Sequence, residues 1–123
     1  MAYNFVVHDA LQTVVETPEF LARARRLLTE EERAELVDYL AANPKAGDLL
    51  RGSGGARKLR WRAKGKGKSG GARAITFFGG EDIPVFLLTV FGKGERANLS
   101  KSEINELHQV LAGLAAEYRG KAE

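Results

Sequence analysis

Nine cationic side chains occupy a stretch of the sequence that contains no aspartate or glutamate. The stretch lies between Asp48 and Glu81, and its cations are Arg51, Arg57, Lys58, Arg60, Arg62, Lys64, Lys66, Lys68 and Arg73. The rest of the chain has ten basic and 16 acidic residues, so a net charge of −6 there underlies the overall charge of +3. Such segregation predicts a local positive potential whose partners are polyanions.

These residue types suit chemistry on a phosphodiester. A phosphoryl group in transition carries negative charge on its equatorial oxygens, which positioned lysine and arginine stabilise more strongly than the ground state. Arginine offers a fixed fork of donors, and a lysine crowded by other cations can have its pKa lowered enough to accept a proton. In RNA the neighbouring 2'-hydroxyl supplies the nucleophile. The same residues are equally suited to holding a nucleic-acid backbone without cleaving it.

Other kinds of site have little support in the sequence. There is no cysteine, which excludes a disulfide, a thiolate metal site and a cysteine nucleophile. His8 and His108 lack carboxylate partners at ligand spacing, so we expect no metal site and no cofactor. The glycine-rich segment 65–71 lacks the phosphate-loop motif and does not lead from a strand into a helix, which argues against nucleotide hydrolysis.

A β-hairpin is predicted to carry the cations. Cationic and apolar residues alternate, with Lys58, Arg60, Arg62 and Lys64 at one parity and Leu59, Trp61 and Ala63 at the other. This period of two predicts a strand with four cations on one face and Trp61 on the other, which favours a core role for Trp61 over base stacking. A basic turn, residues 64–71, leads to a second strand over Ala72 to Phe78. Arg73 shares the parity of Ile75 and Phe77, and the pattern leaves open whether that face is core or site.

Helices flank this hairpin in the sequence. Thr17-Pro18 begins one helix, and a capping box between Thr29 and Glu32 begins a second that runs to Ala42. Ser100 and Glu103 form another capping box before the last helix. Its apolar stripe is Ile104, Leu107, Leu111, Leu114 and Tyr118.

Two further strands complete the predicted order. One is short, from Tyr3 to His8, and the other, from Ile83 to Phe91, is apolar at both parities and is therefore expected to be central. The order predicts one α+β domain over residues 1–123, with a mostly antiparallel sheet, an N-terminal helical hairpin, a C-terminal helix and all helices on one side. Without a membrane-length apolar run or a signal peptide, we expect a cytoplasmic protein with no membrane partner.

Four segments are specific in combination. They are Asn43-Pro-Lys-Ala-Gly-Asp48, Gly52-Ser-Gly-Gly-Ala-Arg-Lys-Leu-Arg-Trp61, Lys64-Gly-Lys-Gly-Lys-Ser-Gly-Gly-Ala-Arg73 and Leu87-Leu-Thr-Val-Phe-Gly-Lys-Gly-Glu95. Together they resemble the RelE/ParE toxin superfamily, and most closely its HigB-like branch, over nearly the whole chain from Thr17 to Tyr118. The resemblance implies a RelE-like fold and the toxin of a type II toxin–antitoxin module.

The resemblance also implies an activity and a set of partners. The activity is a ribosome-dependent endoribonuclease, an mRNA interferase that cuts mRNA in the A site, leaves a 2',3'-cyclic phosphate and inhibits translation. The partners are mRNA, the ribosome with its RNA, and a cognate helix-turn-helix antitoxin, through which alone the module contacts operator DNA. Two alternatives stay open, namely an inactive member that only binds antitoxin or nucleic acid, and a ParE-like gyrase inhibitor.

Site residues are carried over by position. Lys58, Arg60 and Arg73 match the catalytic cations of RelE-type toxins, where Lys58 or Arg60 would help to remove the 2'-hydroxyl proton and Arg73 would stabilise the transition state. RelE-type enzymes have a further arginine directly after the Gly-Lys that ends the last strand, whereas Gly94 stands there in this chain. The candidates to replace it are Lys93 and Arg96. The residues expected to bind the RNA backbone are Arg57, Arg62, Lys64, Lys66 and Lys68.

Overall fold

The structure is a computed structural model that describes residues 11–64, 71–96 and 98–121. Its elements are β1 (Val14–Glu16), α1 (Pro18–Leu27), α2 (Glu30–Ala42), β2 (Asp48–Leu49), β3 (Ala56–Trp61), β4 (Ala72–Phe77), β5 (Val85–Gly92) and α3 (Lys101–Lys121). The strands form one sheet in the order β1-β5-β4-β3-β2. β1 is parallel to β5 and the other neighbours are antiparallel, so the fold is α+β with a mostly antiparallel sheet, as predicted.

The three helices begin where their capping residues predict. The Thr17 hydroxyl accepts a hydrogen bond from the Phe20 N–H at 3.2 Å, with proline at the first helical position. In α2, Thr29 and Glu32 exchange two bonds of 3.0 Å, and in α3, Ser100 and Glu103 exchange bonds of 2.8 and 3.1 Å. Each box satisfies N–H groups that a helix leaves without intrahelical partners.

The helices lie on both faces of the sheet, so the prediction that they share one side is wrong. The α1–α2 hairpin covers a core that includes Phe20, Leu36 and Leu40 together with Trp61, Ala72, Ala74 and Leu87. On the opposite face, α3 contributes Leu111 to a core with Ile75, Phe77, Phe86 and Phe91. The reason is that β4 is buried at every position and β5 is apolar at both parities, so each face needs a cover.

The long strands match the predicted segments closely. β5 lies inside the sheet between β1 and β4, which confirms its internal position. Trp61 is buried as expected, and its indole N–H donates to the Glu32 carbonyl oxygen at 3.0 Å. The short edge strands β1 and β2 were not predicted, and the strand expected over Tyr3 to His8 lies outside the described residues.

Candidate functional site

The register of the sheet brings the three predicted catalytic cations onto one face. Arg60 is the direct partner of Arg73 across β3 and β4, and Lys58 is the partner of Ile75. Opposed residues of antiparallel strands project to the same side, so the three cations lie on the face that α3 covers. We call Lys58, Arg60 and Arg73 the cationic row. This face is therefore core at its Phe77 end and cationic at the Arg73 end.

Burial differs along the cationic row. Arg60 is exposed and pairs with no carboxylate among the described residues, whereas Arg73 is only 8% exposed. The Arg73 guanidinium donates to the Ala72 carbonyl oxygen at 3.3 Å. Like charges directly opposed in a sheet are unfavourable.

Residues beyond β5 adjoin the cationic row. The Lys58 ammonium donates to the Asn98 side-chain oxygen. The Arg96 guanidinium donates to both Glu103 carboxylate oxygens, at 2.6 and 2.8 Å, and lies 5.4 Å from the centre of the Phe91 ring. Phe91 is the direct β5 partner of Arg73 in β4, so Arg96 lies beside the row. The segment before α3 therefore supplies contacts to both ends of the site.

Glu103 is the charged partner that holds the Arg96 guanidinium in place. Its carboxylate accepts from the Ser100 N–H, which is the main reason that the pKa of Glu103 lies below its usual range, and Arg96 lowers that pKa further. The sequence indicated Glu103 only as a helix cap, and nothing in the sequence pointed to Asn98. Both depend on how the segment before α3 returns over the sheet.

A comparison of the chain with models of known protein families finds one match. Residues 15–121 match the RelE toxin of the RelE/RelB toxin–antitoxin system. The chain belongs to the RelE toxin family. It is accordingly the toxin of a type II toxin–antitoxin system, and the narrower HigB-like assignment stays a prediction.

A solved RelE structure has the same fold. The free state of an E. coli RelE mutant with two arginines replaced by alanine is similar at a TM-score of 0.52 and 22% sequence identity. The match covers 80% of this chain and 94% of that one. At this identity the likeness establishes the RelE fold and leaves the chemistry to be argued from the residues themselves.

Two of the cations predicted to bind RNA in this RelE-family chain face away from the cationic row. Arg57 has the opposite parity in β3 and donates to the Lys45 carbonyl oxygen at 3.0 Å. Arg62 follows the end of β3, and its guanidinium lies 2.8 Å from a Glu35 carboxylate oxygen on α2. The expectation of four cations on one strand face is therefore wrong for Arg62 and for Lys64, both of which lie beyond the end of β3. The strand ends at Trp61, and the acidic surface of α2 attracts the next arginine.

The remaining predicted cations are at the end of the sheet or outside the description. Lys64 and Lys93 line a depression of about 380 Å³, together with Arg26, which the sequence did not indicate. Lys93 thus does not line the separate groove that is formed by Arg96 with Phe91, Leu99 and Glu103. Lys66 and Lys68 lie outside the described residues.

The aromatic residues near the sheet end have distinct environments. Phe77 is buried and stacks on Phe86, with ring centres 6.2 Å apart. Phe78 follows β4 and is half-buried, with the Lys45 ammonium 5.6 Å from its ring centre. Of these two, Phe78 is the more accessible, although it lies several residues from the cationic row.

Neither a metal cluster nor a membrane span occurs in the part of the chain that the structure describes. Within residues 11–64, 71–96 and 98–121, no three His, Asp or Glu side chains come together as metal ligands would. No helix in those ranges has both the length and the apolar character needed to cross a bilayer.

Proposed function

We propose that this toxin is a ribosome-dependent, metal-independent endoribonuclease that cleaves mRNA in the A site and so inhibits translation. The observation that carries the proposal is the direct opposition of Arg60 and Arg73, with Lys58 on the same face. A scissile phosphate between the two guanidinium groups would relieve their repulsion and receive donors on its non-bridging oxygens. The gain is largest in the transition state, where those oxygens carry the most charge.

Different members of the cationic row have different roles in the cleavage reaction. The 2'-oxygen attacks the adjacent phosphorus, the bond to the 5'-oxygen breaks, and the products are a 2',3'-cyclic phosphate and a free 5'-hydroxyl. An arginine does not give up its proton in proteins, so Lys58 is the proposed acceptor of the 2'-hydroxyl proton, and the departing 5'-oxygen takes up a proton from water. Arg73, largely removed from solvent, acts on the phosphate through its fixed charge.

Arg96 takes the place of the arginine that RelE-type enzymes have where this chain has Gly94. Its two bonds to Glu103 and its place on the Phe91 ring fix the guanidinium beside the row. A guanidinium held in this way is preorganised, and little side-chain entropy is lost when it meets a phosphate. Arg96 is thus the proposed third arginine of the site.

The partners follow from the family. A cognate antitoxin with a helix-turn-helix domain would neutralise the toxin and alone contact operator DNA. The ribosome, its RNA and the mRNA would be the toxin's targets in the cytoplasm, with no cofactor and no membrane contact. The acid-free face of β3 and β4 supports an RNA partner, because electrostatic attraction to phosphates dominates such binding.

Induced expression with mapping of mRNA 5' ends tests the proposal. Wild type is compared with Lys58→Ala, Arg60→Ala and Arg73→Ala, and with Arg25→Ala as the matched control, because Arg25 is an exposed arginine on α1. We expect growth arrest and cuts within translated frames for wild type and Arg25→Ala, and neither for the other three. Arrest without cuts would indicate a gyrase-type target, and a folded wild type that causes no arrest would indicate an inert binding module.

A further inference from the structure

Three cations from distant parts of the chain meet at the end of the sheet. Arg26 comes from the last turn of α1, Lys64 from the base of the β3–β4 hairpin, and Lys93 from the residue after β5. All three are exposed, and they line the same depression of about 380 Å³. Because α1 packs on the face opposite α3, this depression lies round the end of the sheet from the cationic row.

Hydrogen bonds fix the backbone at both lysines. The N–H of Lys64, a residue with a φ of 52°, donates to the Glu32 carboxylate at 2.7 Å. That carboxylate is 6% exposed and also belongs to the α2 capping box. On the other side, the Lys93 N–H donates to the Gly71 carbonyl oxygen at 3.0 Å. The two lysine backbones are therefore held in place on either side of Gly71.

Gly71 shows how closely the strands approach at this point. A Cβ atom at this residue would lie 2.5 Å from the Trp61 carbonyl oxygen and 2.7 Å from the Ala63 nitrogen. Contacts this short do not occur, so only glycine permits the packing. The base of the hairpin is consequently a rigid support for the cations that project from it.

The depression keeps a positive charge. Of the described residues that line it, only Glu95 is acidic. The Glu95 carboxylate accepts from the Gly92 N–H at 2.8 Å and lies 3.5 Å from the Arg23 guanidinium. The Gly92 N–H, then Arg23 and last Arg26 lower the pKa of Glu95, so this carboxylate is engaged mainly by groups outside the three cations. Three cations against one occupied carboxylate favour an incoming anion.

We infer that Arg26, Lys64 and Lys93 form a second phosphate-binding subsite, which holds an RNA backbone phosphate other than the scissile one. The RNA identity of the ligand rests on the proposed function. Gly71 directly precedes β4 and is two residues from Arg73, which is about 7 Å of extended chain. One RNA strand can therefore contact the cationic row and then pass round the end of the sheet to this subsite. Lys93 thereby has a binding role, and Arg26 joins the RNA interface.

Binding of a short single-stranded RNA tests the subsite. The RNA carries 2'-O-methyl groups, so it cannot be cleaved, and its affinity is measured by fluorescence anisotropy between about 50 and 200 mM salt. The variants are Arg26→Gln, Lys64→Gln, Lys93→Gln and their combination. Arg25→Gln is the matched control, because it removes the same charge from the neighbouring helix position and does not line the depression. Thermal melting of each variant confirms that it is folded.

Each single variant is expected to bind the RNA roughly threefold to tenfold more weakly than wild type, and the combination to reduce the salt slope by about 0.7 per lost phosphate contact. Arg25→Gln is expected to stay within about twofold of wild type. Equal behaviour of Arg26→Gln and Arg25→Gln, or a wild type that does not bind the RNA, would overturn the subsite. Cleavage on ribosomes is measured separately, so loss of the subsite and loss of the nuclease proposal give different results.

Discussion

Replacing Arg73 by methionine is expected to remove RNA cleavage without weakening the fold. Arg73 is 8% exposed and lies between two direct strand partners, Arg60 on one side and Phe91 on the other. Methionine keeps an unbranched chain in that space and removes the charge. The substitution therefore separates what the guanidinium does for an RNA phosphate from what the side chain does for packing.

The register supplies the magnitudes. Like charges directly opposed in a sheet are destabilising, and the substitution removes that repulsion together with the Arg73 hydrogen bond to the Ala72 carbonyl oxygen, itself worth about 0.5 to 1.5 kcal/mol. The two effects oppose each other, so the free energy of unfolding should stay within about 1 kcal/mol of wild type, and the melting temperature within about 5 °C. Loss of one positioned donor in a transition state costs about 2.7 to 4 kcal/mol, or a cleavage rate lower by about 10² to 10³.

Two assays measure these effects independently. Urea unfolding gives the free energy of unfolding, and single-turnover cleavage of mRNA on programmed ribosomes gives the rate. Added sulfate should raise the stability of wild type more than that of Arg73→Met, because an anion between the arginines binds only the native state. Arg60→Met is the control, since it relieves the same repulsion from the exposed member of the pair.

One combination of results would refute the reasoning. If Arg73→Met loses more than about 1 kcal/mol of stability and cleaves RNA at the wild-type rate, then Arg73 supports the fold and does not serve the reaction. An equal response of wild type and variant to sulfate would argue, separately, against an anion site between Arg60 and Arg73.

Three further predictions concern the supports of the site. Glu32→Ala should lower the free energy of unfolding by about 2 to 4 kcal/mol in urea, because the buried carboxylate accepts from two backbone N–H groups, one of them that of Lys64; a loss under about 0.5 kcal/mol would contradict this. Gly71→Ala should cost about 1 to 3 kcal/mol, whereas Gly94→Ala, with nothing within 4 Å of its Cβ, should change little, and equal effects would show that the close approach is not a constraint. The depressed pKa of Glu103 stabilises the fold above its ordinary value of 4.5, and this stabilisation is lost as the pH falls through the folded-state value. Glu103→Gln should therefore flatten the decline in melting temperature between about pH 5 and pH 3, and an unchanged decline would exclude that carboxylate as a cause.

The sequence predicted those parts of the fold that depend on local chemistry. Capping residues such as Thr29 act within one turn of their own helix, so their effect is visible in a few consecutive letters. Alternation likewise separated Trp61 from Lys58 and Arg60, because side-chain direction in a strand repeats every two residues. The family resemblance added the RelE fold, which the comparison confirms.

The pattern of residue types in the sequence could not predict those parts of the site that depend on packing between distant segments. Alternation along the strand places Arg73 on the same face of the sheet as Ile75. It does not show that α3 covers only part of that face. The same rule extended the strand to Lys64, although the strand ends at Trp61 and Arg62 joins Glu35. Arg26 had no distinguishing signal, because its role depends on where α1 packs against the sheet.

The edge strand β1 also determines when the protein can fold during its own synthesis. Val14 pairs with Val85, and the Arg73 partner Phe91 lies near the end of β5. Contacts over such separations form only after the intervening chain is available. A nascent toxin therefore has no complete sheet, and Arg73 has no Phe91 partner, until the last strand has left the ribosome. The enzyme proposed to stop translation becomes competent only when translation of its own sheet is finished.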